Sequence, residues 1–320
     1  MGFRIKDAEA VPDAIRRITL DQLDRALDRL ELRTRNKDRA VHDARVCFKK
    51  IRAILRLIYG EIGLEIFKLE NTVYRDAGRK LATARDTAVV AGTLEELVHH
   101  FDDQLAEPDV KLLRKRLRRL RAHQQIDKDN VLPSVIGDLQ LARARVEMWP
   151  MKTDGFEAIG VGLRRVYKKG RGQFGLVREE RTTENLHEWR KQVKYLWYQV
   201  SVLNPVWPNV LDALAHELNK LADFLSEDHD LAMLRSRAVR QSELLGNSSE
   251  IDKLVQLIDT RRVELETKAT ALGARIYAEK PGAFENRCRE YWSTWRPPEA
   301  VQHPEAEQMT LAAYAVSQQH

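Results

Sequence analysis

The stretch Val41-His42-Asp43-Ala44-Arg45-Val46-Cys47-Phe48-Lys49-Lys50-Ile51-Arg52 carries two helical patterns at once. On a helix, at about 100° per residue, Val41, Ala44, Phe48, Ile51, Leu55 and Ile58 follow a 3-4-3-4-3 spacing and form an apolar seam. His42, Arg45, Lys49, Arg52 and Arg56 follow the same spacing one residue later and form a basic stripe beside that seam. Like charges at i,i+3 and i,i+4 repel, so an ordinary solvated helix face mixes signs. This stripe does not, and the acid Asp43 lies off it. Positions flanking a core seam line grooves between packed helices. Cations held in such a groove need a counter-charge, supplied either by internal carboxylates or by an external polyanion.

The pattern recurs. Leu186-His187-Glu188-Trp189-Arg190-Lys191-Gln192-Val193-Lys194-Tyr195-Leu196-Trp197 shares the order apolar-His-acid-x-Arg-x-x-x-Lys. Its seam is Leu186, Trp189, Val193, Leu196, Val200 and Leu203; its stripe is His187, Arg190 and Lys194, with Lys191 and Tyr195 close by. His42 and His187 lie 145 residues apart, close to half of the 320-residue chain. A second match stays in register: Lys80-Leu81 precedes Arg85-Asp86, and Phe224-Leu225 precedes His229-Asp230. Two matches in register point to an internal duplication. The halves are not identical. Trp197 stands where the first half has Arg52, and His229 stands where it has Arg85, so a less symmetric site is expected.

Working outward, helical periodicity dominates. Helices are expected over Asp13 to Arg35, Ala40 to Tyr59, Leu64 to Leu81, Ala84 to Ala91, Leu94 to Phe101, Val110 to Gln125 and Leu132 to Val146. Trp149-Pro150-Met151-Lys152-Thr153-Asp154-Gly155 reads as a linker. Further helices follow over Gly155 to Lys169, Thr183 to Leu203, Val210 to Leu225, Leu231 to Leu245, Ile251 to Ile276 and Phe284 to Trp295. Thr182 or Thr183 suits the N-cap of the Thr183 helix, and Asn204-Pro205 its stop. No alternating apolar pattern marks a strand, so the fold class is all-α. The division expected is a first half over residues 1–150, a second over 151–296 and a polar tail over 297–320.

Composition narrows the function classes. Hydrophobic residues make up 43% of the chain, enough for a sizeable core. Gly and Pro number only 15 and 10, which favours helix over turn-rich β structure. Net charge is +6, so the distribution of charge decides the partner rather than its sum. Cys47 and Cys288 make no CxxC pair and read as small, reduced core residues. Nothing resembles a signal peptide or a bilayer-spanning run of about 20 apolar residues. A soluble cytoplasmic protein, with no membrane partner, is the expectation.

Other basic clusters could extend the stripes. Lys111 to Arg121 holds seven Lys or Arg in eleven residues, with Lys111, Arg114 and Arg118 on one face. Arg164, Lys168 and Arg171 form another cluster beside Tyr167. Arg85 joins them by its place in the repeat. Arg offers planar, multidentate donors to phosphate oxygens and Lys a mobile point charge. His donates through both ring nitrogens once protonated, and a nearby polyanion raises its pKa. Nothing here reads base edges, so binding should be charge-driven and strongly salt-dependent.

These residues resemble the CHAD family, the conserved histidine α-helical domain, from about residue 10 to Trp295. The two His-x-x-Arg-x-x-x-Lys helices and the Arg-Asp and His-Asp positions carry the resemblance, together with Tyr167, Arg171 and Tyr195. It implies two four-helix bundles related by a pseudo-twofold axis, with a basic groove between them. It also implies non-enzymatic binding of inorganic polyphosphate, often at polyphosphate granules in bacteria, with no cofactor. The contacts carried over are His42, Arg45, Lys49 and Arg52, then His187, Arg190 and Lys194. Family members are often fused to a triphosphatase domain bearing an E-x-E-x-K strand, and no such strand is read here.

Two other functions compete. A metal-dependent phosphohydrolase would use the His-Asp pairs, but metal ligation needs several neutral His or carboxylates converging. His42 and His187 sit among cations, so no metal site is expected there. Nucleic acid is also a phosphate polymer, and aromatic residues near the second stripe could stack bases. Trp189 lies on the core seam, which favours packing for that ring. Oligomeric state is not legible in the sequence.

Overall fold

The computed structural model describes residues 2–31, 37–81, 86–101, 128–240 and 248–296. Among them the chain is all-helical, with no strand. The first half holds α1 (Val11–Glu31), α2 (Lys37–Leu57), α3 (Tyr59–Lys80), α4 (Asp86–His100) and α5 (Lys128–Val146). The second holds α6 (Glu157–Glu179), α7 (Thr183–Leu203), α8 (Pro208–Arg240), α9 (Ser248–Ile276) and α10 (Pro281–Trp295), with a 3-10 turn at Asn204–Val206. The expected Val110–Gln125 helix and the 297–320 tail lie outside the described residues. Among the described residues no helix is long and apolar enough to cross a membrane.

Both seams are buried as their spacing dictates. Val41, Ala44, Phe48, Ile51, Leu55 and Ile58 are each at most 5% exposed, and Leu186, Trp189, Val193, Leu196, Val200 and Leu203 at most 2%. Each large side chain so buried contributes roughly 1.5–3 kcal/mol. The seams draw their helices into closed sets of contacts. α1 packs on α2, α2 on α3, α3 on α5, and α5 back on α1. α6 packs on α7, α7 on α8, α8 on α9, and α9 back on α6. α2 joins the two sets, packing on both α6 and α7. There the Gln199 amide of α7 donates to the buried carbonyl of Ala53 at 3.0 Å. α4 leaves its sequence neighbours and packs on α8 and α9. Its Val90, Leu94 and Leu97 share a smaller core with Leu231, Leu234, Leu254 and Ile258.

The connection around residues 149–155 is tied down rather than loose. Asp154 accepts from the Val11 amide at 2.7 Å, Glu61 accepts from the Thr153 amide at 3.1 Å, and Arg16 donates to the Trp149 carbonyl at 3.1 Å. Thr182 caps α7 by accepting from the Asn185 amide.

The helices differ from the periodicity in four places. The segments expected as separate helices over Ala84 to Ala91 and Leu94 to Phe101 form one continuous helix, α4. Ser226-Glu227-Asp228-His229-Asp230 suggests a break, yet α8 runs unbroken through it. Its polar side chains find partners on other helices: Ser226 accepts from Arg190, Glu227 from Arg261 and Asp228 from Arg262. α6 continues ten residues past Lys169, to Glu179, despite glycines at 170, 172 and 175. α3 starts at Tyr59, five residues before Leu64, but kinks where Gly63 takes φ 72°.

Gly162 of α6 sets a close approach to α2. A Cβ there would fall inside the van der Waals envelope of the Leu57 and Arg56 carbonyl oxygens of α2, and backbone cannot swing aside. Gly172, on the same helix, faces open space. Gly162→Ala should therefore lower thermal stability by about 1–3 kcal/mol or more. Gly172→Ala should raise it by up to about 1 kcal/mol through helix propensity. Thermal denaturation followed by circular dichroism separates the two; equal effects would contradict the crossing geometry.

Candidate functional site

Where α2 meets α7, the two stripes open into one pocket of about 610 Å³. α2 contributes His42, Arg45, Lys49 and Arg52. α7 contributes His187, Arg190, Lys191, Lys194 and Tyr195. Every one of these except Tyr195 is half-buried, as a residue one step off a core seam must be; Tyr195 is buried. α3 adds Arg75 and Arg79, and α8 adds Ser226, His229, Asp230 and Met233. Among the described residues the lining holds eight Lys or Arg, three His and one carboxylate, Asp230. Of the acids near the stripes, Asp43 sits 3.6 Å from Arg29 of α1, whereas Glu188 pairs with the lining cation Lys191. Asp76 lies 2.8 Å from Arg75 and 3.7 Å from Arg79 on the rim.

Internal bonds orient several of these cations. Arg190 donates through Nε to Ser226 at 3.0 Å. Arg52 donates through Nε to Asn71 at 3.1 Å and lies 5.8 Å from the centre of the Tyr195 ring. A guanidinium so held presents its remaining donors in a fixed plane, which suits a phosphate or carboxylate group.

His187 and His229 face each other with ring centres 4.8 Å apart. Burial is the main cause that lowers the pKa of both. Lys191 and Arg190 push His187 down further. Arg190, His187, Lys194 and Lys49 do the same to His229, which reaches about 4. Neither Nδ1 has a hydrogen-bond partner among the described residues. The pocket without ligand thus keeps neutral imidazoles among fixed cations. An anion placed there would reverse the sign of the local field and favour the protonated rings.

The structure brings nine of the expected residues together and leaves others elsewhere. Arg56 points past the pocket, bonding Asn71 at 3.0 Å under the Tyr195 ring. Arg164 turns to Glu285 at 3.4 Å, and Arg171 donates to the Tyr277 carbonyl at 3.1 Å. Lys168 is exposed on α6 and does not line the pocket. Arg85, Lys111, Arg114 and Arg118 lie outside the described residues. Arg75, Arg79 and His229 join without having been expected as contacts. His229 was signalled by its register with Arg85, whereas Arg75 and Arg79 flank an acid on a helix with no stripe.

No cluster of three or more His, Cys, Asp or Glu suited to a metal ion occurs among the described residues. Glu264-Leu265-Glu266-Thr267-Lys268 spells E-x-E-x-K, but it lies within α9. Alternate residues of a helix point to different faces, and there Glu264 bonds Arg261 and His100 while Glu266 faces Arg262.

These features define an all-helical protein with a cationic pocket between its two stripe helices. The chain belongs to the CHAD domain family, whose profile matches residues 17–239. Its fold is similar to the crystal structure of the CHAD domain from the plant Ricinus communis. That match has TM-score 0.59 and 12% identity, over 87% of this chain and 96% of that one. No curated protein matches the chain.

The His229 environment makes a direct prediction. Its folded pKa, near 4, lies below the unfolded value of about 6.5. This contribution to stability is therefore complete above pH 6.5 and lost as pH falls toward 4. An NMR titration of the ligand-free protein should give His229 a midpoint well below 6, moving upward in Arg190→Gln. A midpoint at or above 6.5 would remove the neutral pair from the description.

Proposed function

We propose that the pocket binds inorganic polyphosphate without chemical turnover, and that the protein acts where this polymer accumulates, as at polyphosphate granules. The observation that supports this most is the lining itself: among the described residues, eight cations and three imidazoles from four helices face one lining carboxylate, with Asp76 and Glu188 pairing three of the cations from outside it. A small anion would neutralise only part of that charge. A chain of phosphates, with one negative charge per unit and no bases to read, matches both the number of cations and the lack of a stacking platform facing the pocket. The aromatic rings of the lining are buried: Phe48 and Tyr74 are at most 2% exposed, and Tyr195 is 6% exposed and already lies beneath guanidinium groups. We read the two closed helix sets as two copies of one unit related by a pseudo-twofold axis, which explains why both stripes converge on one ligand.

The pH dependence has a definite sign. A polyanion raises the His187 and His229 pKa values, so binding takes up protons and affinity increases as pH falls from 7 toward 5. Calorimetry in buffers of different ionisation enthalpy measures that uptake; no uptake would separate the imidazoles from the ligand.

The decisive test is competition between long-chain polyphosphate and single-stranded DNA of equal phosphate content across a salt series. Polyphosphate should win at every salt concentration, and a tie or a win for DNA overturns the assignment. Arg45→Glu, Lys49→Glu, Arg190→Glu and Lys194→Glu together should weaken binding by more than about 100-fold near physiological salt. Circular dichroism should show the helical fold retained, because the changes relieve like-charge repulsion. Retained binding would place the site elsewhere, and phosphate release by the wild type would show it to be an enzyme.

A further inference from the structure

Beyond the pocket, behind Tyr195, lies a second group of cations. Arg56 stacks on the Tyr195 ring with its guanidinium carbon 3.9 Å from the ring centre, and Arg52 approaches that ring at 5.8 Å. Arg165 of α6 stacks on Tyr59 at 3.6 Å, and Tyr59 meets Phe67 edge-on at 5.2 Å. Phe67 also lies 5.4 Å from Arg56. Lys169, one turn after Arg165, is exposed at the outer edge. The Gly162 crossing makes this possible, because only a residue without Cβ lets α6 come so close to the end of α2.

Among the described residues no carboxylate pairs with this group. The side chains it meets from each packed helix are Asn71, Tyr59 and Phe67 of α3 and Tyr195 of α7. No described Asp or Glu forms an ion pair with Arg52, Arg56, Arg165 or Lys169, whereas Arg164 on the same helix pairs with Glu285. Aromatic faces hold the two inner guanidiniums instead. Stacking fixes a guanidinium plane but leaves its edge donors for an in-plane acceptor. Arg56 spends one terminal nitrogen on Asn71 and the Arg52 carbonyl. Arg165 makes no hydrogen bond to a described residue. Burial, with Arg52 and Arg165 adding repulsion, lowers the Arg56 pKa to about 10, so it stays charged at neutral pH. Burial, with Arg165 and Arg56 adding repulsion, lowers that of Lys169.

We propose that Arg56, Arg165 and Lys169 form a second phosphate-binding station, joined to the main pocket through Arg52 over Tyr195. This station lets the protein favour long polyphosphate chains over short ones. The proposal rests on the polyphosphate reading of the main pocket and adds a length requirement to it. A short oligomer seated in the main pocket leaves the second station empty. A long chain continues along α2, from Arg52 to Arg56 about 6 Å further on, and leaves past Lys169.

The test uses the full chain and two probes, tripolyphosphate and a polyphosphate of several hundred units. Arg56 is left intact because it also bonds Asn71 and the Arg52 carbonyl inside the protein. Arg165→Gln with Lys169→Gln is compared with Lys268→Gln and Arg275→Gln, an equal charge change on the exposed face of α9. The first pair should weaken long-chain binding about tenfold and reduce the slope of log K against log salt by about 1.4, as for two lost phosphate contacts. Tripolyphosphate affinity should change less than twofold. A long-chain loss no greater than in the α9 control overturns the station, as does an equal loss for both probes. Wild-type protein that binds neither probe overturns the polyphosphate reading itself, and the station with it.

Discussion

Burial of two apolar seams against one another forces like charges together in this protein. The seam of α2 and the seam of α7 each lie one residue from a row of cations, so neither can enter the core without bringing its stripe to the same boundary. The magnitudes allow it. Two unit charges about 4 Å apart repel by about 4 kcal/mol at an effective dielectric near 20, and by far less once separated or solvated. Each large seam residue returns roughly 1.5–3 kcal/mol on burial, and each helix buries six seam residues. The core therefore holds the stripes in place against their repulsion. Their field is a built-in property of the packing rather than something a ligand must assemble.

Several local devices limit the cost of that field. His187 and His229 stay neutral within it. Asp76 tempers the two arginines that α3 presents at the rim. Tyr195 and Tyr59 receive guanidiniums on their ring faces where no carboxylate is present. Neutral imidazoles are charge held in reserve, since they can become donors when an anion arrives. Aromatic faces stabilise a cation without consuming its edge donors, as an ion pair would. Both devices leave the pocket ready for an anion while keeping the unliganded protein folded.

The second half supplies the clearest case of tertiary contacts overriding local pattern. Five consecutive polar residues in the middle of α8 would suit a turn, yet they continue the helix because α7 and α9 supply partners to them. That continuity carries His229 into the pocket opposite His187. A break there would free the chain to turn His229 elsewhere. In the first half α4 crosses over to α8 and α9 and brings Val90 to the same pocket.

The sequence by itself determined the all-helical class, both seams, and the seven stripe residues that share the pocket. All of these follow from spacing along a single helix, where i,i+3 and i,i+4 periodicity decides which side chains share a face. It could not decide the phase of a helix whose polar residues surround it. On α6, Arg164 and Arg165 are adjacent in sequence, but Arg164 pairs with a glutamate while Arg165 joins the cations. Nor could spacing find Arg75 and Arg79, whose helix shows no stripe and whose role depends on where α3 is packed. The close approach at Gly162 and the meeting of His187 with His229 were likewise decided only by the tertiary structure. Each is a contact between residues distant along the chain, and only the joint burial of several seams fixes the distance between them.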